Sequence, residues 1–134
     1  MFTLSDSCKK FLSENSNKKI VFTNGCFDIL HVGHVHLLNE ARALGDVLLL
    51  GLNSDSSVKT LKGNDRPVNN EKDRKYVLEN LKAVDFVEIF NEQTPYEIIK
   101  AIKPQVLVKG GDWPVEEIVG HDIVLSYKGE VKSL

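Results

Sequence analysis

Short apolar runs alternate with amphipathic segments along this chain. Runs typical of buried β-strands cover residues 19–23, 46–53, 84–90, 105–109 and 122–126. Helical spacing of apolar residues predicts helices over 4–15, 33–44, 71–81 and 94–102, with a short one over 115–119. Because strands alternate with helices, we predict an α/β fold with a doubly wound, parallel five-stranded sheet.

Local signals add detail to this pattern. Thr94–Glu97 has the pattern of a capping box with proline at the first helical position, and Gly45 suits a helix C-cap. The polar segment 54–70 predicts a long loop, and loops of this length are often functional. Residues 130–134 are expected to form a last extended piece.

One stretch, residues 18–44, combines this alternation with candidate chemistry. Its strand passes through the turn Asn24–Asp28 into a helix opened by His31-Val32-Gly33-His34. Free N–H groups and the dipole at such a helix end attract phosphate. Residues 23–34, 53–62 and 109–113 all follow predicted strand ends, so we expect them around one cleft at the carboxyl edge of the sheet.

The two histidines at i and i+3 can face one ligand, and three interpretations are open. They could be ordinary surface or core residues. They could bind zinc together with His36, although no glutamate or cysteine stands at metalloenzyme spacing. The preferred interpretation is phosphate chemistry, in which imidazoles donate hydrogen bonds to phosphates and to charge that develops in the transition state.

Composition narrows the class of protein. The 134 residues suit a single domain, 1–134, with its first helix within residues 1–17. A net charge of −2 gives no sign of nucleic-acid or membrane binding. The two cysteines are too few for a disulfide framework, and neither a signal peptide nor an apolar run of about 20 residues is present, so a cytoplasmic location is expected.

The segment NGCFDILHVGH, residues 24–34, resembles the HxGH motif of the cytidylyltransferase-like nucleotidyltransferase superfamily, including the GxFD that precedes it. Residues 43–46 and 52–55 resemble further motifs of the same superfamily. Other segments resemble its heptose 1-phosphate adenylyltransferase branch; they cover residues 61–63, 66–67, 73–74, 83–85, 108–113 and 117–120. The resemblance implies a Rossmann-like fold of the HxGH nucleotidyltransferase type.

The resemblance also implies roles for individual residues. His31, His34 and Lys62 would be catalytic, the histidines on the α- and β-phosphates. Nucleotide binding would involve Thr23, Asn24, Gly25, Cys26, Phe27, His31, Gly33, His34, Gly110, Asp112 and Trp113. Substrate binding would involve Asp28, Asp55, Lys59, Lys62 and Arg74.

Several of these roles have alternatives. Asp28 could support the turn, orient a neighbour or simply cap a helix end, and Asp55 could help to hold Mg²⁺. Lys62 could be an ordinary solvated lysine, Arg74 could form a surface salt bridge, and Trp113 could be only a core or interface aromatic. Mg²⁺ is expected as the cofactor that accompanies the nucleotide, and the metal ligands are not assigned.

The implied reaction moves a nucleoside monophosphate from an NTP to a sugar 1-phosphate with release of pyrophosphate. The preferred pair is ATP and heptose 1-phosphate, which gives ADP-heptose for lipopolysaccharide. Two alternatives stay open: a glycerol-3-phosphate cytidylyltransferase that uses CTP, and a non-catalytic nucleotide-binding module. A homodimer is common in the family, and Phe2, Phe11 and Trp113 are candidates for its interface.

Members of the superfamily usually carry a G-x-S-T-T or I-S-T-S-like segment that opens a final helix and holds the triphosphate. The 134-residue sequence stops at Leu134, before that segment would begin, and has no part that corresponds to the kinase half of bifunctional heptose enzymes. A chain without such a tail is expected to bind the nucleotide more weakly.

Overall fold

A computed structural model describes residues 2–134, and its centre is one parallel sheet with the strand order β3-β2-β1-β4-β5. The strands are β1 (Ile20–Gly25), β2 (Val47–Asn53), β3 (Phe86–Phe90), β4 (Val106–Lys109) and β5 (Glu130–Ser133). The helices are α1 (Asp6–Glu14), α2 (Val32–Arg42), α3 (Asp55–Lys62), α4 (Glu71–Glu79), α5 (Tyr96–Ile102) and α6 (His121–Ser126). None of the helices described within residues 2–134 is long and apolar enough to cross a membrane.

The strand order places a topological switch at the middle of the sheet. The chain moves outward from β1 through β2 to β3, and then returns to place β4 on the other side of β1. Loops after β1 and β4 therefore leave in opposite directions and open a crevice between them. The predicted doubly wound, five-stranded parallel sheet is confirmed.

Both faces of the sheet are buried, because side chains of a strand alternate between faces. On β2, Leu48, Leu50 and Leu52 pack in the cluster that contains residues of α2 and α4. Val47 and Leu49 pack in the second cluster, with residues of α1, α5 and α6. This is why the strand sequence is continuously apolar rather than alternating.

The N-terminal helix α1 packs on the sheet as its pattern predicts. Cys8 is fully buried, and the rings of Phe11 and Phe86 lie 5.0 Å apart between centroids. Phe2 is partly buried against the same cluster. Of the three candidate interface residues, Trp113 is thus the one that is largely exposed, and the homodimer stays a prediction.

The fifth strand was predicted in the wrong place. Residues 122–126 belong to helix α6, whereas β5 is formed by the segment expected to be a last extended piece, and it pairs parallel to β4. A short apolar run is ambiguous between helix and buried strand. Here Val124 is fully buried and Leu125 is 47% exposed, which suits a one-sided helix rather than a strand buried on both faces.

The predicted loop 54–70 also contains regular structure, helix α3. Ser54 caps it by accepting a hydrogen bond from the backbone N–H of Ser57, and Gly63 ends it with φ of +107°. Asp55 in the first turn and Lys62 in the last follow the usual charge preference of helix ends. These signals were present in the sequence.

Other local predictions were wrong in detail. Helix α5 has Pro95 at its N-cap with no side-chain cap, and Thr94 Oγ1 accepts only a 3.5 Å bond from Tyr96 N. The C-cap of α2 is Ala43, whereas Gly45 lies where a Cβ would approach Lys19 O to 2.8 Å. The short helix predicted over 115–119 is a single 3₁₀ turn, Val115–Glu117. On α4, Leu78 is buried but Tyr76 and Val77, predicted to be available to the core, are exposed.

Candidate active site

A cleft of about 340 Å³ opens between the ends of β1 and β4, at the switch in strand order. It brings together residues from three segments of the chain, 24–37, 62–66 and 109–110. The residues that line it are Asn24, Gly25, Cys26, Phe27, Asp28, Ile29, His31, His34, Leu37, Lys62, Arg66, Lys109 and Gly110. Nine of the residues predicted for the site are among them.

The two histidines form the N-terminal cap of α2. His31 is the N-cap residue, and its Nδ1 accepts a 3.0 Å hydrogen bond from the backbone N–H of Gly33. His34 stands at the third helical position, and its Nδ1 accepts a 3.2 Å bond from the backbone N–H of His31. This reciprocal arrangement is a capping box in which histidines replace the usual Ser or Thr and Glu.

The cap fixes the positions of both rings. Their centroids lie 4.0 Å apart, and the ring of Phe27 meets the ring of His34 edge-on at 5.4 Å. A Cβ on Gly33 would lie 2.8 Å from Cε1 of His31, closer than real Cβ contacts allow. The glycine of the motif thus makes room for the imidazole that caps the helix.

The hydrogen bonds also decide which ring nitrogen carries the proton. Since Nδ1 of both His31 and His34 accepts a backbone N–H, the neutral rings carry their proton on Nε2 and keep it as a donor. Burial lowers the pKa of His34 below its ordinary value, and the nearby His31 and Lys62 lower it further. Each of the two rings therefore keeps its Nε2–H as a donor that the helix cap does not use.

The turn that precedes the helix has a strained backbone. Phe27 has φ of +47°, a left-handed conformation that is rare for a large residue. Its ring folds back over Gly25, where a Cβ would lie 2.8 Å from Cε2 of Phe27. Such strain is often found at ligand-binding turns.

Cationic side chains surround the turn and the histidines. Lys62 reaches the cleft from the end of α3, and Lys109 reaches it from the end of β4. Burial raises the pKa of the Cys26 thiol in spite of the opposing effects of Lys62, Arg74 and Lys109. Cys26 is therefore a neutral thiol at neutral pH rather than a nucleophilic thiolate.

Sequence reasoning missed Lys109 and Arg66 as residues of the site. Both lay within segments that matched the family, but neither was assigned a role there. Their positions alone gave a signal, since Lys109 ends a predicted strand and Arg66 stands in the polar segment that follows another. Ile29 and Leu37 complete the lining as apolar residues.

Asp28 is buried, and its carboxylate oxygens accept hydrogen bonds from other residues of the protein. It accepts hydrogen bonds from the backbone N–H groups of Val68 at 2.7 Å and Asn69 at 2.8 Å, and from the guanidinium of Arg66 at 3.3 Å. Burial acts to raise the pKa of Asp28, but these three donors outweigh it and lower the pKa below its ordinary value. This geometry favours the alternative in which Asp28 supports the turn.

Arg74 lies inside the protein rather than in the cleft. Its guanidinium donates hydrogen bonds to the carbonyl oxygens of Cys26, Asn53 and Asn69, and it pairs with Asp55 at 2.7 Å. The side chain of Arg74 is 1% exposed, so the pair is not the surface salt bridge of the alternative prediction. Arg74 joins the turn 24–28 to β2, α3 and the segment before α4.

Several predicted site residues lie outside the cleft. Thr23 is buried, and its hydroxyl donates to Val108 O, which ties β1 to β4. Asp55 and Lys59 line a separate shallow cavity, and Asp112 is exposed. Trp113 lies beside the cleft in a cavity of about 220 Å³, whose lining is Asn24, Pro95, Lys109, Trp113, Glu117 and Val119.

The cleft offers no free carboxylate to a metal ion. Among residues 2–134, no group of three or more His, Cys, Asp or Glu side chains is placed to hold one. Asp28 is the only carboxylate in the described lining of the cleft, and its oxygens already accept hydrogen bonds, while Asp55 pairs with Arg74. The residues present thus do not fit a metal held by the protein. They are compatible with Mg²⁺ held by substrate phosphates and water, a common arrangement for this ion.

Comparison with known proteins identifies long relatives of which this chain matches a part. It is 68% identical over 109 residues to the bifunctional protein HldE of Aliarcobacter butzleri, and this match covers 81% of the chain and 23% of that protein. It is 56% identical over 125 residues to the bifunctional protein HldE of Wolinella succinogenes, with 92% of the chain and 26% of that protein covered. The chain spans about a quarter of the length of these curated relatives.

A solved structure shares the fold. The lipopolysaccharide core biosynthesis protein from Thermoplasma volcanium superposes with a TM-score of 0.69 at 28% identity, and the match covers 87% of this chain and 93% of that one. The family model described as cytidylyltransferase-like matches residues 22–129, which include most of β1, the turn 24–28 and the histidine cap. These matches confirm the resemblance to the cytidylyltransferase-like superfamily that was drawn from the sequence. The chain belongs to the cytidylyltransferase-like family of nucleotidyltransferases.

Proposed function

We propose that this chain transfers a nucleoside monophosphate from an NTP to a sugar 1-phosphate and releases pyrophosphate. The observation that carries the proposal is the histidine cap of α2, whose two histidines keep their Nε2–H donors and line a cleft that also contains Lys62, Arg66 and Lys109. Donors and cations in this arrangement match a substrate with several phosphates.

The proposed reaction needs no covalent intermediate, because the sugar phosphate is itself the nucleophile. Its phosphate oxygen attacks the α-phosphorus in line, a new P–O bond forms, and the bond to the β-phosphate oxygen breaks to release pyrophosphate. His31 and His34 would donate to the phosphate oxygens as charge builds up, and Lys62 and Lys109 would balance the charge of the triphosphate. Catalysis then consists mainly of positioning and electrostatic stabilisation.

The preferred substrates are ATP and heptose 1-phosphate, which give ADP-heptose. Two lines support this choice: the relatives named bifunctional protein HldE, and the 28% identical neighbour whose name refers to lipopolysaccharide core biosynthesis. The NTP would enter as its Mg²⁺ complex. The apolar walls of the adjoining cavity, Pro95, Trp113 and Val119, would border the base.

The test is a panel of NTPs and phosphate acceptors with detection of released pyrophosphate, with and without Mg²⁺. We expect pyrophosphate with ATP and heptose 1-phosphate, released about 100- to 1,000-fold more slowly, or more slowly still, by a H31A variant. Turnover with CTP and glycerol 3-phosphate instead would identify the cytidylyltransferase alternative. Nucleotide binding with no release from any acceptor would contradict the enzymatic proposal and favour a non-catalytic module.

A further inference from the structure

We propose that Arg66 binds the phosphate of the acceptor and that Asp28 acts as the positioning residue that holds Arg66 at the cleft. The inference rests on the proposed nucleotidyl transfer and adds the part of the site that receives the second substrate. The acceptor it implies is a phosphate monoester of a polyhydroxylated molecule.

Asp28 determines where the segment that carries Arg66 lies. Residues 63–70 connect α3 to α4 without helix or strand. Asp28 accepts from the backbone N–H groups of Val68 and Asn69, and its own carbonyl oxygen accepts from Asn69 Nδ2 at 2.7 Å. Three of the four residues 66–69, namely Arg66, Val68 and Asn69, are thus attached to Asp28, the last residue of the turn 24–28.

The guanidinium of Arg66 contacts Asp28 but keeps N–H groups available for a ligand. Its side chain is 40% exposed and lines the cleft, whereas the carboxylate beside it is 4% exposed. Within residues 2–134, the 3.3 Å contact with Asp28 is the one hydrogen bond of its guanidinium. A guanidinium offers five N–H donors in a planar fork, so most of them are available to a phosphate that enters the cleft.

The position of Arg66 assigns it to the acceptor rather than to the triphosphate. Lys109 and Trp113 lie on the β4 side of the histidines, next to the cavity whose flat walls suit a base. Neither Arg66 nor Asp28 lines that cavity, and Asp28 lines a different one. In-line displacement requires the attacking and leaving oxygens on opposite sides of the α-phosphorus, so two anions must be held apart.

A second cavity adjoins Asp28 and gives the rest of the acceptor a place. It measures about 310 Å³, and Phe27, Asp28 and Ile29 line both this cavity and the cleft. Its walls are mainly apolar, and its polar lining residues besides Asp28 are Asn69, Asp73 and Arg74. Amide and carboxylate groups above apolar walls suit a molecule that carries several hydroxyls on a carbon frame.

The first test compares R66K and R66A with wild type in steady-state kinetics. R66K keeps the charge but loses the planar fork. We expect the KM of the acceptor to rise about 10- to 100-fold in both variants while the KM of the NTP changes less than about twofold. R42K is the matched control, because Arg42 forms a comparable ion pair with Asp85 away from the cleft, and it should change neither KM. An unchanged acceptor KM, or an equal rise in both KM values, overturns the proposal.

The positioning role of Asp28 is tested by a double-mutant cycle. D28N should raise the acceptor KM in the wild-type background but add little in the R66A background, because it acts through Arg66. Additive effects would show that Asp28 acts by itself. E88Q is the control for loss of a buried carboxylate elsewhere, since Glu88 binds Ser5 at the start of α1.

A calorimetric titration separates failure of this inference from failure of the proposed function. The probes are heptose 1-phosphate and inorganic phosphate, each added to protein that holds a non-hydrolysable NTP analogue. If wild type releases no pyrophosphate but binds a probe that R66A does not bind, nucleotidyl transfer fails and the Arg66 subsite stands. Equal binding by wild type and R66A, or no binding by either, overturns the subsite.

Discussion

His34 accepts the backbone N–H of His31 at 3.2 Å through Nδ1, while His31 accepts the backbone N–H of Gly33 in the same way. The spacing of the HxGH motif is therefore that of a helix N-cap and its third helical position. The same two bonds that close the helix end also leave Nε2–H as the free donor of each ring. His31 and His34 therefore cap the helix and also carry the proposed chemistry. Substitutions must be chosen that remove one of these roles and keep the other.

Asparagine at position 31 and glutamine at position 34 keep the cap but remove the imidazole donors. Asn is among the best N-cap residues, and Gln is usual at the third position of a capping box. We expect H31N and H34Q each to lower kcat on the order of 100- to 1,000-fold, the usual loss for one transition-state donor. Thermal unfolding should stay close to wild type, whereas H31A should also lose about 1 kcal/mol of stability.

Pyrophosphate release and calorimetric melting of the same preparations check this prediction. Near-normal turnover in H31N and H34Q would mean that the histidines serve the helix and not the reaction.

The pKa of His34 predicts the acid limb of the activity profile. In the folded protein it lies below the ordinary value of about 6.5, because of burial and then of the charges of His31 and Lys62. The stabilisation from the neutral ring is fully present above the unfolded-state pKa and is lost as pH falls through the folded-state pKa. We expect kcat/KM to be flat above pH about 6.5 and to fall only at more acidic pH.

NMR titration of the His34 ring, together with the pH profile of kcat/KM, measures this directly. K62M should raise the pKa of His34 towards its ordinary value, and K82M, a substitution of an exposed lysine outside the cleft, should not. A pKa of His34 above 6.5 in the protein without nucleotide would contradict the assignment of its Nδ1 as a hydrogen-bond acceptor.

Arg74 was predicted to bind substrate, and its position predicts a different consequence of its loss. R74M leaves three carbonyl oxygens and Asp55 without their donor, so we expect stability to fall by about 3 kcal/mol or more. R42M removes an ion pair that is far more exposed and should cost less than about 1 kcal/mol. Urea unfolding of both variants provides the comparison. A stable R74M protein with a raised acceptor KM would restore the substrate-binding role.

Strands β1 to β4 were predictable because each coincides with an apolar run of the sequence, whereas the order of the strands in the sheet was not predicted. The error at residues 122–126 arose because a short apolar run can equally be a one-sided helix or a buried strand. Helix α3 was missed although Ser54 and Gly63 mark both of its ends. The polar composition of segment 54–70 favoured a loop and outweighed these two capping signals.

The candidate site was predictable as far as residues adjacent in sequence determine it. The turn 24–28 and both histidines lie where their motif placed them. Three of the four hydrogen bonds of the Arg74 guanidinium, by contrast, join residues 19 to 48 positions away, and no local pattern shows whether an arginine points outward or inward. The guanidinium of Arg66 likewise contacts a residue distant in sequence, Asp28, which is 38 positions away.

Gly33 provides a test of whether the position of the His31 ring matters for turnover. In G33A the new Cβ would lie 2.8 Å from Cε1 of His31, so the ring must move and its bond to the backbone N–H of residue 33 is weakened. Alanine favours the helix by up to about 1 kcal/mol over glycine, which offsets the weakened cap, so stability should change little. We expect kcat to fall at least about tenfold. S56A, at the equivalent second position of α3, is the control and should leave kcat unchanged.

Combining G33A with H31N shows whether the fall in kcat in G33A is caused by the displaced ring of His31. Asparagine has no atom where Cε1 of the imidazole lies, so the clash with Cβ is absent. H31N/G33A should then turn over no more slowly than H31N alone, and the two single effects should not multiply. If they do multiply, the glycine serves the phosphate directly through close approach of the backbone, and the cap is not the reason for its presence.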